Sequence, residues 1–315
     1  MTRSSQTTAQ NHKVRFRWSW LLPRYWLSWL GVILLASLML VPDTWRHALS
    51  KRLGLWMYRK NHKRRHVVLT NLALCFPDYA NDKREALAKQ HFQAYISGIL
   101  AYSDYIFLPK RWLYKKIELQ GKAQLDQSIA DGKAIILLIG HTTMLEFVSV
   151  AMGQYYQTYG SYKPFANPVF DWLIFRGRLR HIGFVVAREA GMMTLMRELK
   201  AGKLLGFLPD EDHGSHASVF VDFFGVKKAT LNTPARMARL SKADCYPVMA
   251  FFDETTQRYC IKLGEVLHYN KQAPEHTFEQ TMNQRFEALI QTHPEQYMWL
   301  LKLFKTQPDT EAKRY

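Results

Sequence analysis

Residues 25–41 carry no charged side chain, and this run constrains the fold more than any other segment. A helix that crosses a bilayer needs roughly 17–25 apolar residues, so the run is just long enough. Tryptophans, which favour the membrane–water interface, stand at both ends of it: Trp18, Trp20, Trp26, Trp29 and Trp45. We therefore predict a membrane-anchoring helix within residues 18–45. A buried core helix is the alternative, and a cleaved signal peptide is disfavoured because no small-x-small cleavage motif follows Leu40.

The rest of the chain reads as one large domain. Residues 1–17 form a basic polar tail, and residues 46–315 contain no Pro/Gly/Ser-rich linker, so we expect a single domain there. The net charge of +17 requires an acidic partner: nucleic acid, an anionic membrane surface, a phosphorylated lipid or an acidic protein. The 3 cysteines are scattered and have no metal-ligand spacing, which indicates neither a disulfide framework nor a zinc site.

Basic residues flank the apolar run on both sides. Those within residues 46–65 predict a cytoplasmic catalytic domain, whereas those within residues 13–24 resist translocation. A single span is our prediction, and a helix embedded in one leaflet is the alternative. The basic helix that follows the anchor is expected to contact anionic headgroups.

Beyond residue 45 the pattern first predicts two helices broken at Pro77, and then an alternation of strands and helices. Strands are predicted at 134–140, 203–209, 246–252 and 259–263. Some of these ranges are continuous apolar runs, which are typical of strands buried on both faces. Helical patterns occur at 144–158, 168–180, 191–201, 234–240 and 278–292. This alternation predicts an α/β fold with a mixed, largely parallel sheet flanked by helices and preceded by the N-terminal membrane-anchoring helix.

A histidine and a carboxylate follow the first predicted strand. His141 lies on the loop that leaves the strand, where ligands bind in open α/β sheets, and Glu146 follows shortly after. A neutral imidazole can remove the proton of an alcohol. A carboxylate on its other ring nitrogen fixes the tautomer and stabilises the imidazolium. The alternatives are a structural histidine and a capping box, in which Thr143 and Glu146 satisfy backbone N–H groups.

The chain resembles the lipid A late acyltransferases (lauroyl/myristoyl type), a branch of the lysophospholipid acyltransferase superfamily. The matching stretches, in the same order, are NLALCFPD (71–78), GHTTMLEF (140–147), YKPFANPVFDWLIFRGRLR (162–180), LPDEDHG (208–214), SVFVDFFG (218–225) and HPEQYMWLLKLFKTQP (293–308). Segment 229–241 is only loosely like the Thr-rich stretch of the family. Acyl chain length and acylation stage therefore stay open.

The resemblance implies an acyltransferase in lipopolysaccharide or lipooligosaccharide biosynthesis, in the cell inner membrane, with its catalytic domain on the cytoplasmic side. The donor would be a fatty acyl thioester of acyl carrier protein, and the acceptor a hydroxyl on a 3-hydroxyacyl chain of a lipid A precursor. His141 would be the general base and Glu146 its partner, with no covalent acyl-enzyme. Backbone N–H groups near Thr142 would stabilise the oxyanion.

Three further residues are expected to bind substrate. Arg178 is the first, because the planar guanidinium suits a phosphate or an oxyanion. Its neighbours Arg176 and Arg180 also fit favourable placement against the helix dipole. Asp210, in an acidic/histidine cluster, and Asn167 are the others. We predict no metal and no cofactor for this cluster.

Two other functions compete. A phospholipid or glycerol-phosphate acyltransferase is the enzyme alternative, and Glu rather than Asp at position 146 disfavours it. A membrane-tethered nucleic-acid-binding protein is the alternative from another class. The clustering of aromatic residues around the apolar run disfavours that function, and we therefore predict no nucleic-acid partner.

Overall fold

The computed structural model describes residues 14–162, 164–187, 191–308 and 314–315. Its N-terminal part is helical: α1 (Trp26–Ser37), with short 3-10 turns on both sides, α2 (Asp43–Lys60), α3 (His62–Cys75) and α4 (Asn81–Phe107). The predicted helix break at Pro77 is present, between α3 and α4. A second break, at Asn61, was not predicted. There the Asn61 side chain accepts a hydrogen bond from the backbone N–H of Arg64 at 3.1 Å and caps α3.

The remaining elements alternate. The strands are β1 (Ile117–Gln120), β2 (Ile135–Ile139), β3 (Thr158–Tyr162), β4 (Phe184–Ala187), β5 (Leu204–Phe207), β6 (Ser218–Phe223), β7 (Val226–Leu231), β8 (Asp244–Asp253) and β9 (Arg258–Leu263). The helices are α5 (Lys110–Lys115), α6 (Lys122–Ala130), α7 (Phe147–Met152), α8 (Pro168–Leu179), α9 (Gly191–Lys200), α10 (Thr233–Ser241) and α11 (Thr277–Thr292).

Seven of these strands form the main sheet, in the order β1-β9-β8-β2-β5-β3-β4. All of its neighbouring strands run parallel except β8 and β9, which pair antiparallel. Strands β6 and β7 form a separate antiparallel hairpin. The predicted α/β class with a mixed, largely parallel sheet is therefore confirmed.

Strand β2 is central because both of its faces are covered. Ile136 and Leu138 belong to one hydrophobic cluster, and Ile135 and Leu137 to another on the opposite side of the sheet. Burying each such side chain stabilises the fold by about 1.5–3 kcal/mol. A charged substitution at any of them would break this packing. The loop that leaves β2 therefore starts from a rigid support.

The segment after β2 differs from the prediction. A helix was expected over 144–158, but α7 spans only Phe147–Met152, and β3 takes the end of the interval. Thr142 instead forms an antiparallel bridge with Tyr297, which keeps the backbone after β2 extended. Strands β1, β3, β4, β6 and β7 were also not predicted: β4 is apolar but only 4 residues long, and polar residues interrupt the other four.

Among the residues described, one helical segment is long and apolar enough to cross a membrane. It is Pro23–Leu40, within the predicted anchor. It is attached to the domain along one side. The Ser28 hydroxyl accepts a hydrogen bond from the Asn167 side-chain amide at 2.8 Å, and Gly31 faces the Phe170 ring of α8. The basic tail predicted for residues 1–17 lies mostly outside the described residues.

Candidate active site

His141 and Asp210 meet at one edge of the main sheet. His141 follows β2 and Asp210 follows β5, and these neighbouring strands are parallel, so their carboxyl ends lie side by side. His141 Nδ1 lies 2.5 Å from Asp210 Oδ1, and the backbone N–H of His141 donates to Asp210 Oδ2 at 2.7 Å. The carboxylate only accepts, so Nδ1 is the donor and the ring is held in one orientation.

The other ring nitrogen of His141 also faces a carboxylate. Nε2 lies 3.2 Å from Glu211 Oε1. Burial lowers the pKa of His141, but the charge and hydrogen bond of Asp210, joined by those of Glu211, outweigh burial and raise it to about 10. The imidazole therefore rests as a cation between two carboxylates. It has to release a proton, and Nε2 has to leave Glu211, before it can act as a base.

Asp210 is a buried carboxylate with several partners. Besides its two bonds to His141, it accepts a hydrogen bond from the Tyr297 hydroxyl at 3.1 Å. Burial raises the pKa of Asp210, but its bonds to His141 and the nearby charge of Lys228 lower it below the ordinary value. Asp210 thus stays ionised and stabilises the cationic form of His141.

The C-terminal segment secures the histidine loop. The backbone N–H of Met298 donates to the His141 carbonyl at 2.9 Å, and the Thr143 N–H donates to the Gln296 carbonyl at 2.9 Å. Gln296 is itself tied to β8, where its side chain accepts from the Phe252 N–H at 2.7 Å. The N–H groups of His141 and Thr143 are therefore already used, which limits the backbone donors expected near Thr142 for an oxyanion.

Glu146 faces Arg178 rather than His141, which corrects the contact expected from the sequence. Arg178 Nε lies 3.0 Å from Glu146 Oε2, and Nη2 lies 2.5 Å from Oε1. The Tyr102 hydroxyl also donates to Glu146 at 3.4 Å. The reason lies in the backbone, because the residues before α7 form turns that direct the carboxylate towards the last turn of α8. The capping box is absent as well, since α7 begins at Phe147 and Glu146 makes no side-chain cap bond.

Asn167 lies at the start of α8. Its side-chain oxygen accepts from the Val169 N–H at 3.0 Å, and its amide donates to Ser28. It thus caps α8 and fastens α1 to it. The structure thus brings Asp210 into contact with His141 and Arg178 into contact with Glu146. Asn167 contacts neither pair through these bonds and caps α8 instead.

The acidic/histidine loop after β5 is held mainly by hydrogen bonds. Asp212 accepts from the backbone N–H and the hydroxyl of Thr306, at 2.6 and 2.8 Å. Within the part of the chain that the structure describes, no group of three His, Cys, Asp or Glu side chains could hold a metal ion.

Three residues around the site escaped the sequence reasoning. Glu211 adjoins Asp210 in the LPDEDHG stretch, so the chemistry of its neighbour pointed towards it. Tyr297 had no such signal, because it lies 87 residues from Asp210 in the sequence. Lys228 is only 1% exposed, and burial lowers its pKa. A lysine in a short strand is usually exposed, so its place beside Asp210 was not foreseeable.

Fold and site together define an α/β protein in which a half-buried histidine pairs with a buried aspartate. Once neutral, such a ring can remove a proton from a hydroxyl. Residues 13–306 match the family described as bacterial lipid A biosynthesis acyltransferase. The chain belongs to this family, and it is therefore an acyltransferase of lipid A biosynthesis.

Three of the relatives, from two organisms, illustrate a match that runs nearly end to end. A "Lipid A biosynthesis acyltransferase" of Haemophilus influenzae is 34% identical over 310 residues, which cover 97% of this chain and 96% of the relative. The "Lipid A biosynthesis lauroyltransferase" of Escherichia coli K12 is 31% identical over 305 residues, 96% of this chain and 98% of the relative. The "Lipid A biosynthesis myristoyltransferase" of the same organism is 30% identical over 294 residues, 93% and 91%. These names cover different acyl chains, so similarity alone does not select one.

Proposed function

We propose that this protein transfers a fatty acyl chain from the thioester of acyl carrier protein to a hydroxyl of a 3-hydroxyacyl chain on a lipid A precursor. The observation that carries the proposal is the contact between His141 and Asp210 at the carboxyl ends of β2 and β5. A base held in this way suits an alcohol that barely ionises at neutral pH. The family provides the substrate class.

In the proposed reaction, the acceptor takes the position of Glu211 beside Nε2 of neutral His141. The ring removes the hydroxyl proton while the oxygen attacks the thioester carbonyl, and a tetrahedral intermediate forms. Its collapse breaks the carbon–sulfur bond, and the leaving thiolate takes the proton from the imidazolium. The products are an ester and the free thiol of the carrier protein. Asp210 keeps Nδ1 protonated and offsets the positive charge that develops on the ring.

Glu146 has a different part in this proposal. It orients Arg178 through two parallel hydrogen bonds, a geometry that fixes the plane of a guanidinium. Arg178, so held, contacts a phosphate of the acceptor or the oxyanion. Asn167 contributes indirectly, by setting the start of the helix that carries Arg178.

The proposed location is the cell inner membrane, with the catalytic domain on the cytoplasmic side and its basic surface against anionic headgroups. The apolar segment Pro23–Leu40 and the basic residues of α2 and α3 support this location. Acyl carrier protein and the lipid A precursor are the proposed partners.

The test is an assay of purified full-length protein with acyl carrier protein thioesters, offered either a lipid A precursor or a glycerol phosphate acceptor. We expect one added acyl chain on the lipid A precursor by mass spectrometry, and none with His141→Ala. A matched control is His268→Ala, because His268 Nδ1 also pairs with an aspartate, Asp244, at 2.9 Å. Acylation of glycerol phosphate alone would contradict the proposal, and so would full activity of the His141 variant.

A further inference from the structure

The outer face of α2 carries a stripe of large apolar side chains that the described chain leaves uncovered. Trp45, Leu49, Leu53 and Trp56 follow one another at spacings of four, four and three, so they share one face of the helix. Their exposed fractions are 72%, 37%, 39% and 61%, respectively. Contiguous apolar surface of this kind marks an interaction site.

The opposite face of α2 is fixed to the domain. Ser50, Gly54 and Tyr58 are buried on the side that packs against α4. A Cβ at Gly54 would lie 2.5 Å from the Cα of Gln93, so the two helix backbones touch there. The stripe therefore cannot rotate inward to bury itself.

A charged cluster fastens the beginning of the same helix. Arg46 donates to the buried Asp104 carboxylate at 2.7 Å, and Lys116 Nζ lies 3.1 Å from both Asp43 and Asp104. The Tyr259 hydroxyl donates to Asp104 at 2.9 Å. Asp104 of α4, Tyr259 of β9 and Lys116 thus hold α2 in one orientation, and its apolar stripe is a permanent feature of the surface.

Helix α1 also carries an exposed apolar face. While its Ser28 and Gly31 face α8, its outward side chains Leu27, Leu30, Ile33 and Leu34 are exposed. Two neighbouring helices thus turn apolar faces away from the domain.

Basic side chains border the stripe. Exposed cationic residues of α2 and α3 near it are Arg52, Arg59, Lys60 and Lys63. The stripe has tryptophans at both ends, leucines between them and cations beside it. This composition is typical of a helix that lies in a membrane interface. We propose that α2 lies in the headgroup region of an anionic phospholipid leaflet, the leaflet that α1 enters, with its stripe towards the acyl chains.

This proposal deepens the membrane location proposed above and does not depend on the reaction. It is tested with full-length protein in vesicles of phosphatidylethanolamine and phosphatidylglycerol. Trp56→Cys is labelled with an environment-sensitive fluorophore, and the native cysteines Cys75, Cys245 and Cys260 are buried. The control position is Leu240→Cys, because Leu240 is an exposed residue of α10. We expect nitroxide lipids to quench the label at position 56 and aqueous iodide to quench it several-fold less than at position 240.

Two results would overturn the proposal. One is equal iodide quenching at the two positions. The other is protection of position 56 without nitroxide quenching and with dependence on protein concentration, which would indicate a second copy of the chain on the stripe. Because the readout is fluorescence, it stays informative even if the proposed reaction proves wrong.

A second measurement uses the double substitution Trp45→Ser/Trp56→Ser, with Leu240→Ser as the matched control. Neither position belongs to the active site, so activity on detergent-solubilised substrates should stay normal. Activity on substrate embedded in vesicles should fall several-fold in the double variant and not in the control. Equal activity of both variants on vesicles would contradict a role of the stripe in membrane contact.

Discussion

Glu146 and Arg178 form a bidentate ion pair, with Arg178 Nε 3.0 Å from Glu146 Oε2 and Nη2 2.5 Å from Oε1. Glu146, which follows His141 in the sequence, therefore pairs with Arg178. The carboxylate that contacts His141 is that of Asp210, from a distant part of the sequence. In the proposed mechanism, this division separates proton transfer from the handling of negative charge, so the two roles can be perturbed one at a time.

The first prediction concerns Glu146→Gln. The amide cannot accept both hydrogen bonds of the guanidinium, so stability should fall by about 1.5–3 kcal/mol, as for hydrogen bonds to charged groups. The rate should fall as well, because Arg178 loses its orientation. A double-mutant cycle on the unfolding free energy should show coupling of Glu146 with Arg178 and little with His141. Coupling with His141 alone would restore the direct pairing expected from the sequence.

Arg178→Lys tests the geometry of the guanidinium. Lysine keeps the charge but lacks the planar fork that matches a carboxylate, so both acyl transfer and thermal midpoint should decrease. Arg176→Lys is the matched control, because Arg176 lies over the Trp172 ring at 5.3 Å rather than on a carboxylate. A normal rate for Arg178→Lys would mean that positive charge suffices.

The partner of His141 is tested by Asp210→Asn. Asparagine retains the shape and can still bond to the loop, but it cannot offset the imidazolium charge. We expect a loss of roughly 10²–10⁴-fold in rate with the fold retained. Tyr297→Phe, which removes one hydrogen bond to Asp210 and leaves its charge, should cost less. Comparable losses for both variants would assign Asp210 to loop structure.

Glu211→Gln should change the pH dependence. The pKa of His141 lies near 10, above its ordinary value of about 6.5. The protonated ring therefore stabilises the fold fully below pH 6.5, and this stabilisation is lost as the pH rises through 10. The base form grows over the same range, and the rate should rise with it. Removing the Glu211 charge lowers the pKa of His141, so the profile of kcat/KM should shift to lower pH. The exposed Glu254→Gln is the control, and an upward shift would refute the assignment.

Asn167→Ala addresses the capping role. Losing the helix cap should cost about 1 kcal/mol of stability. Asn167→Asp should retain most of it, since aspartate also caps. If Asn167 bound the acceptor directly, the alanine variant would raise KM at unchanged kcat, and steady-state kinetics with the lipid acceptor distinguish the two roles.

Sequence reasoning reached the sheet through β2, β5, β8 and β9, because long apolar runs and strand patterns are strong signals. It also found His141, Asp210 and Arg178 separately. It expected Glu146 to contact His141, whereas the structure places Asp210 there, because nearness along the chain does not imply nearness in space. The contact with Asp210 depends on β2 and β5 being neighbours in the sheet, an order that local patterns do not determine.

The bonds from Gln296 and Met298 to the histidine loop have a consequence for how the protein is made. His141 leaves the ribosome long before these residues do, by roughly 10–30 s at synthesis rates of about 5–20 residues per second. Through that interval the loop lacks the backbone partners that hold it. The site therefore matures last, and we expect a nascent chain to acylate nothing until synthesis has passed residue 298.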